Sequence, residues 1–230
     1  MSKISIVIPI LNEEGYIGNL LSHLVTNSLY KNLIEIIVVD GGSTDNSIEI
    51  VSQFTNVTLL NSQKGRAKQM NHGASEATGE ILYFLHVDSL PPKGFDQLII
   101  HEVEQGNLAG CFRMQFEHKH WWLQLASWLT KFSWRACRGG DQSQFITNKL
   151  FLEIGGYDEK YIIYEDNILI NELYKRKQFV VINKKIKTSA RCYKQNGIWR
   201  LQYHFWTIYV KKWLGASPDE LYTYYKRHIT

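Results

Sequence analysis

"IEIIVVDGGSTDNS", residues 34 to 47, is an apolar, β-branched run that stops at Asp40 and passes into turn and cap residues. A strand that is apolar without alternation belongs inside a parallel sheet covered on both faces. The "GGSTDNS" that follows supplies turn glycines and the Ser, Asp and Asn that start a helix, which opens at "IEIVSQF".

The same pattern recurs on either side. "ISIVIPIL" (4 to 11) reads as a strand ending at "NEEG", and "YIGNLLSHLV" then spaces Ile17, Leu20, Leu21 and Leu24 as one helical face. "VTLLN" (57 to 61) is a third strand, "GRAKQMNHGASEAT" sets Ala67, Met70, Ala74 and Ala77 on one face of a helix, and "EILYFLHVD" (80 to 88) is the next strand. Strands alternating with helices predict an α/β fold, a mostly parallel Rossmann-like sheet with helices on both faces. Such sheets bind ligands beyond the carboxyl ends of their strands. Asn12, Glu13, Asp40, Asp45, His86 and Asp88 all fall at those ends. In extended backbone His86 and Asp88 flank Val87 and project to the same side, before the prolines of "SLPP" stop the strand.

The second half is less regular. "AGCFRMQFE" (109 to 117) alternates like a strand. In "HWWLQLASWLTKFSWR" (120 to 135), Trp121, Trp122, Leu125, Trp128, Leu129 and Phe132 share one helical face, with His120, Gln124, Ser127, Lys131 and Arg135 along the other. "GGDQSQFITNKLFLEIGGY" (139 to 157) reads as loop, short strand, short helix and glycine cap; "YEDNILINELYKRKQ" (164 to 178) is a helix opened by acids, and "FVVIN" a final strand. In "IWRLQYHFWTIYVKKWL", Arg200, His204, Thr207 and Lys211 form a narrow polar stripe on an otherwise apolar helix. Aromatic stripes at helical spacing are expected to pack on the sheet or across a homodimer, with contact to a membrane surface as the other reading.

At 230 residues one domain is expected, without linker or low-complexity run. The N-terminal run enters a strand without a cleavage-type signal, and no segment approaches the roughly 20 apolar residues that span a bilayer. Cys111, Cys137 and Cys192 are odd in number and lack CxxC spacing, which predicts reduced thiols in a cytoplasmic protein. The net charge of +4 divides unevenly: from Lys175 onward there are 13 Lys/Arg against 2 acids, and before it 13 against 20. A cationic tail on an acidic body suits a phosphate-bearing or membrane-surface partner, and equally a solvated face. Nucleic acid is not the expected partner, because acidic strand ends repel phosphate.

"SIVIPILNEE", "IIVVDGGSTD", "GRAKQMNHGA", "LHVDS", "GGY" and "EDN" resemble, in this order, the motifs of family 2 glycosyltransferases of GT-A fold. The resemblance runs from about residue 4 to the Arg191 region, and "TSARCYKQNGIWR" resembles a bacterial subgroup whose genes neighbour radical-SAM and selenium-related genes. It implies a GT-A nucleotide-sugar domain over residues 1–190, with residues 191–230 a cationic, aromatic, helical tail packed on it.

What the resemblance implies for single residues stands beside their own chemistry. Asp88 becomes the ligand of Mg²⁺ or Mn²⁺, or else caps a turn. His86 stands where the family usually has the first Asp of Asp-x-Asp, and can instead hydrogen-bond ribose or phosphate. Asp40 accepts from a nucleobase ring nitrogen, which fits uracil, or caps its own loop, the role assigned to Ser43 and Asp45. Pro9, Asn12 and Glu13 lie beside base and ribose. Arg66, opening a helix after Gly65, meets the diphosphate or is an exposed helix start. Asp166 is the general base, supported by Glu165, where local sequence alone reads as an acidic helix start. Gln142 of "GGDQ" and Arg191 fall on the acceptor and phosphate sides; Asp141 reads as a turn residue. The function implied is an inverting transferase moving a sugar from a nucleotide-sugar, a UDP-sugar, to a hydroxyl acceptor, lipid-linked if the aromatic stripes touch a membrane. The competing class is a non-catalytic nucleotide-binding or membrane-surface protein.

Overall fold

The strands are β1 (Ile4–Ile10), β2 (Leu33–Asp40), β3 (Val57–Asn61), β4 (Ile81–Phe84), β5 (Ser89–Leu90), β6 (Ala109–Phe116), β7 (Gln144–Thr147) and β8 (Phe179–Thr188). The helices are α1 (Ile17–Asn27), α2 (Ser47–Ser52), α3 (Arg66–Glu76), α4 (Phe95–Glu104), α5 (Trp121–Leu129), α6 (Asn148–Ile154), α7 (Glu165–Lys175), α8 (Arg191–Asn196), α9 (Ile198–Trp213) and α10 (Pro218–His228). A computed structural model describes residues 2–29, 33–139 and 142–229. One sheet joins the strands in the order β3-β2-β1-β4-β7-β6-β8-β5. β3, β2, β1 and β4 are mutually parallel, β7 runs antiparallel to β4 and β6, and β6 and β8 are parallel.

β1, β2 and β4 are buried on both sides, as their lack of alternation predicted, while β3, at the sheet edge, is only partly buried. Ile4, Ile6, Ile8 and Ile10 of β1 face the core that holds Ile17, Leu20 and Phe95, on the α1 and α4 side. Val7, with Ile37, Val39, Leu82 and Phe84, faces the opposite core under Met70, Phe151 and Leu169, on the α3, α6 and α7 side. Each such side chain contributes roughly 1.5–3 kcal/mol on burial. α3 approaches β1 closely at Gly73, where a Cβ would meet Val7 Cγ1 at 2.5 Å and Val39 Cγ2 at 2.9 Å.

The strand predicted over 80–88 ends early. Leu85 N–H still reaches the Val7 carbonyl at 3.0 Å, but the chain then turns, with Ser89 N–H on the His86 carbonyl at 3.1 Å. His86 and Asp88 therefore sit in a turn beyond the sheet, and not on an extended strand. The last long strand runs past "FVVIN" to Thr188, because pairing with the whole of β6 extends it.

The aromatic stripes pack on the sheet only in part, Trp122 lying against the cluster of Met114 and Phe116. α5 buries Leu123 and Ser127, while Trp121, Leu125 and Trp128 are exposed. The reason is the edge of β6, which pairs with β7 only through Ala109 and Gly110. Ser127 Oγ accepts from Phe116 N–H at 3.1 Å and Thr130 Oγ1 from Met114 N–H at 3.0 Å, so the polar face of the helix satisfies an otherwise open strand. α9 behaves alike: Leu201 and Ile208 are buried, and His204 Nδ1 lies 2.8 Å from Tyr224 Oη of α10. A third core joins Leu201, Ile208, Leu221 and Ile229 to Tyr161 and Ile163. Among the described residues no helix is long and apolar enough to cross a membrane.

Candidate active site

Beyond the carboxyl ends of β1 and β4 lies a cleft of about 1410 Å³. The loops that form one of its sides are locked together by their own polar residues. Asn12, at φ 55°, donates its N–H to Ser43 Oγ at 2.9 Å and accepts from Thr44 N–H at 2.8 Å. Glu13 N–H donates to Ser47 Oγ at 2.8 Å, and Glu14 N–H to Asp45 Oδ2 at 3.1 Å. Where β1 and β2 part, Gln69 of α3 donates to the carbonyls of Ile10 and Val39, both at 2.8 Å.

Arg191, at the start of α8, crosses to this side. Its Nη1 and Nη2 bind the two carboxylate oxygens of Glu13 at 2.6 and 2.7 Å, and its Nε lies 3.1 Å from Asp88 Oδ2. The guanidinium also sits 4.6 Å over the Tyr16 ring. The bond to Glu13, together with the Asp88 charge, holds the Arg191 pKa above its ordinary value despite partial burial.

The opposite wall is the N-terminus of α7. Tyr164 precedes it at φ 74°, and Glu165 and Asp166 fill the first turn, where free N–H groups favour negative charge. Both acids are buried. Arg66, first residue of α3, reaches across with Nε 3.3 Å from Glu165 Oε1. His86 Nε2 lies 3.9 Å from Asp166 Oδ2. Burial, aided by the charges of Arg66 and Arg191, drives the His86 imidazole down to about 3, so it stands neutral beside Asp166 at neutral pH. Burial and the neighbouring Asp166 and Glu165 charges push the Tyr157 phenol well above its usual value.

The cleft thus brings together Pro9, Glu13, Arg66, His86, Asp88, Gln142, Glu165, Asp166 and Arg191. Asn12 and Asp40 are not part of its lining. Asp40 serves its own loop: its carboxylate accepts from the N–H groups of Gly42 and Ser43 and from Ser43 Oγ. Gln142 is likewise engaged, accepting from Arg138 Nη1 and donating to the Cys137 carbonyl. Asp141 lies outside the described residues. Sequence reading missed Gln69, Arg135 and Arg138. Arg138 is buried, with Nη2 2.7 Å from the carbonyls of Thr130 and Phe132, and Arg135 Nη2 donates to Asn167 Oδ1 at 3.0 Å. The partners of Gln69 and Arg135 are 30 or more residues away, and those of Arg138 include backbone carbonyls 6 and 8 residues away in an irregular loop, so no pattern in the sequence marks them. Three residues with positive φ, Asn12, Ser143 and Tyr164, adjoin or line the cleft, where backbone strain tends to collect.

For a divalent cation the donor set is sparse. Among the described residues no three His, Cys, Asp or Glu side chains are grouped to hold an ion. A hard cation bound with a diphosphate needs only one or two carboxylates, the phosphates and water completing its shell. Asp88 fits that requirement, with Arg191 as the competing charge.

Two solved structures share the fold: TarS of S. aureus in complex with UDP, 17% identical with TM-score 0.67 over 82% of this chain and 60% of that one, and the mannosyltransferase PcManGT of Pyrobaculum calidifontis in complex with GDP-Man and Mn²⁺, 16% identical with TM-score 0.71 over 99% and 68%. The fold is that of GT-A glycosyltransferases, a curled α/β sheet with helices. In sequence the chain is 26% identical over 199 residues to the probable glycosyltransferase YdaM of Bacillus subtilis, covering 76% of this chain and 47% of that protein. It is 30% identical over 114 residues to the undecaprenyl-phosphate 4-deoxy-4-formamido-L-arabinose transferase of Yersinia pestis, covering 46% and 35%. The chain spans about half or less of the length of these curated relatives. The profile of glycosyl transferase family 2 matches residues 5–177, three quarters of the sequence, and the chain belongs to that family.

Proposed function

We propose that the protein transfers a hexose-like sugar from a UDP-sugar to an acceptor hydroxyl, with inversion at the anomeric carbon. The observation that carries this reading is the convergence on one cleft of cationic side chains, Arg66 and Arg191 with Lys64, and a separate buried acid, Asp166, across from Asp88. The acceptor oxygen attacks the anomeric carbon, its proton passes to Asp166, and the bond to the diphosphate breaks with its electron pair on the leaving phosphate. Arg66 and Arg191 meet the growing negative charge of that phosphate. Mg²⁺ or Mn²⁺ held by Asp88 would add to this neutralisation. Glu165 orients Arg66, and neutral His86 offers a hydrogen bond to ribose or phosphate. Pro9, Asn12, Glu13 and Asp40 shape the base and ribose side, the last by holding its loop; Gln142 holds the wall on the acceptor side.

Two relatives, solved with UDP and with GDP-Man and Mn²⁺, support a nucleotide-sugar donor, and a third, named for undecaprenyl phosphate, supports a lipid-linked acceptor. The reading extends to a lipid-linked acceptor and a cytoplasmic location at the inner face of the membrane, in keeping with free Cys111, Cys137 and Cys192. A thermal-shift panel of UDP, GDP, dTDP and CDP, with and without Mn²⁺, tests it. UDP is expected to raise the Tm selectively, since a ligand bound only by the folded state stabilises it. No shift with any nucleotide sinks the reading.

A further inference from the structure

α5 buries Leu123 and Ser127, α9 buries Leu201 and Ile208, and both leave most of their aromatic side chains uncovered. On α9, Trp199, Tyr203, Trp206, Val210 and Trp213 recur at helical spacing and all are exposed, Trp213 at 84%. On α5, Trp121, Leu125 and Trp128 do the same, Trp121 at 61%. The two stripes meet: the rings of Trp121 and Trp122 lie 5.8 and 5.6 Å from that of Trp199, and Trp122 lies 5.8 Å from Trp206. The joint surface runs to the cleft, whose wall includes Trp122, Trp206 and Trp213. Exposed apolar area of this continuity marks a contact surface.

The segments that carry the stripes are predominantly basic. Residues 118–139 carry four Lys/Arg and no acid, of which Arg135 and Arg138 turn inward, and residues 191–230 carry seven Lys/Arg against Asp219 and Glu220. Lys119, Lys131, Arg200, Lys226 and Arg227 are exposed. Two copies meeting through this surface would bring like charges together. An anionic bilayer complements it, and Trp and Tyr are the side chains whose amphipathic rings settle at headgroup level.

From these observations we infer that the stripes of α5 and α9 form one surface that docks on an anionic lipid bilayer and sets the mouth of the cleft against the headgroups. Docking itself is independent of the transferase reading; only the delivery of a lipid-linked acceptor rests on it. The surface lies in the interface and does not span the bilayer.

Co-sedimentation with vesicles tests the inference. The full chain is expected to bind phosphatidylcholine vesicles containing phosphatidylglycerol at least tenfold more tightly than phosphatidylcholine alone, and to release as salt is raised. A variant carrying Trp121→Ser, Trp128→Ser and Trp199→Ser, all outside the cleft wall, is expected to lose at least tenfold in vesicle affinity. Its circular dichroism and its nucleotide-induced thermal shift should match those of the parent. The inference is overturned if the parent does not bind the anionic vesicles, if the triple variant binds them as well as the parent, or if the parent is a dimer that the same substitutions dissociate. Loss of the nucleotide shift in the parent, with vesicle binding intact, would count against the donor reading alone.

Discussion

Arg191 ties Asp88 to Glu13: one guanidinium is bidentate on Glu13 at 2.6 and 2.7 Å and approaches Asp88 Oδ2 at 3.1 Å. Two acids at the ends of separate strands are held near each other by a cation from the segment after β8. A diphosphate entering the cleft meets this charge already placed.

Replacing Arg191 leaves both acids without it. Arg191→Met is expected to destabilise the fold by about 1–3 kcal/mol, the cost of truncating a pair that is only partly buried. Arg191→Lys should recover part of this, because an ammonium cannot reproduce the bidentate fork. Urea denaturation measures the first effect, and calorimetric titration with UDP should show affinity reduced at least tenfold in both variants.

Asp166→Asn keeps shape and removes the proposed base. Nucleotide affinity is expected to stay within about twofold while transfer falls by roughly 10²–10⁴. Binding and single-turnover measurements on the same preparation separate the two. Normal turnover in the variant would place the base elsewhere.

His86 predicts an acid-sensitive fold. Its folded-state pKa, about 3, lies below the ordinary 6.5, so between these values the unfolded chain binds a proton that the native state does not. Stability from this group is complete above about pH 6.5 and declines as pH falls, with a slope of up to about 1.4 kcal/mol per pH unit. His86→Gln should flatten the dependence of unfolding free energy on pH between roughly 6.5 and 4. An unchanged slope would mean that the imidazole is not held neutral.

Gly73 marks the close approach of α3 to β1. Gly73→Ala should gain up to about 1 kcal/mol of helix propensity, yet destabilise by roughly 1–3 kcal/mol net, because the new Cβ meets Val7 and Val39 at less than 3.0 Å. UDP affinity should fall with it, since Arg66 begins the same helix.

The inverted helix α5 gives a contrasting pair. Ser127→Ala removes the acceptor for the buried Phe116 N–H and is expected to cost about 1–3 kcal/mol. Trp128→Ser, one residue on and exposed, should stay within about 0.5 kcal/mol. Chemical denaturation of both reads directly which face the helix buries.

The first half of the fold was legible because its signals are local. Continuous apolar runs over 4–11, 34–40 and the first part of 80–88 read as strands buried on two faces, and the polar residues after each are carried to one rim. Arg66 at a helix start and the acids opening α7 were readable from position alone.

Tertiary structure decided what depended on partners far along the chain. Asp40, which local sequence read equally as a ligand contact or a loop cap, accepts from the N–H groups of its own turn, and Gln142 lines the cleft while donating to the Cys137 carbonyl. Ser127 faces inward because the edge of β6 needs hydrogen bonds that no water can supply there, and this need outweighs the burial of Trp128. The sequence by itself determined which segments become strands and which polar groups reach the rim, since periodicity and turn chemistry act over a few residues. Which face of α5 meets the protein, and which acids share Arg191, follow from hydrogen-bond satisfaction and charge pairing across as many as 178 residues, and these exist only once the sheet has formed.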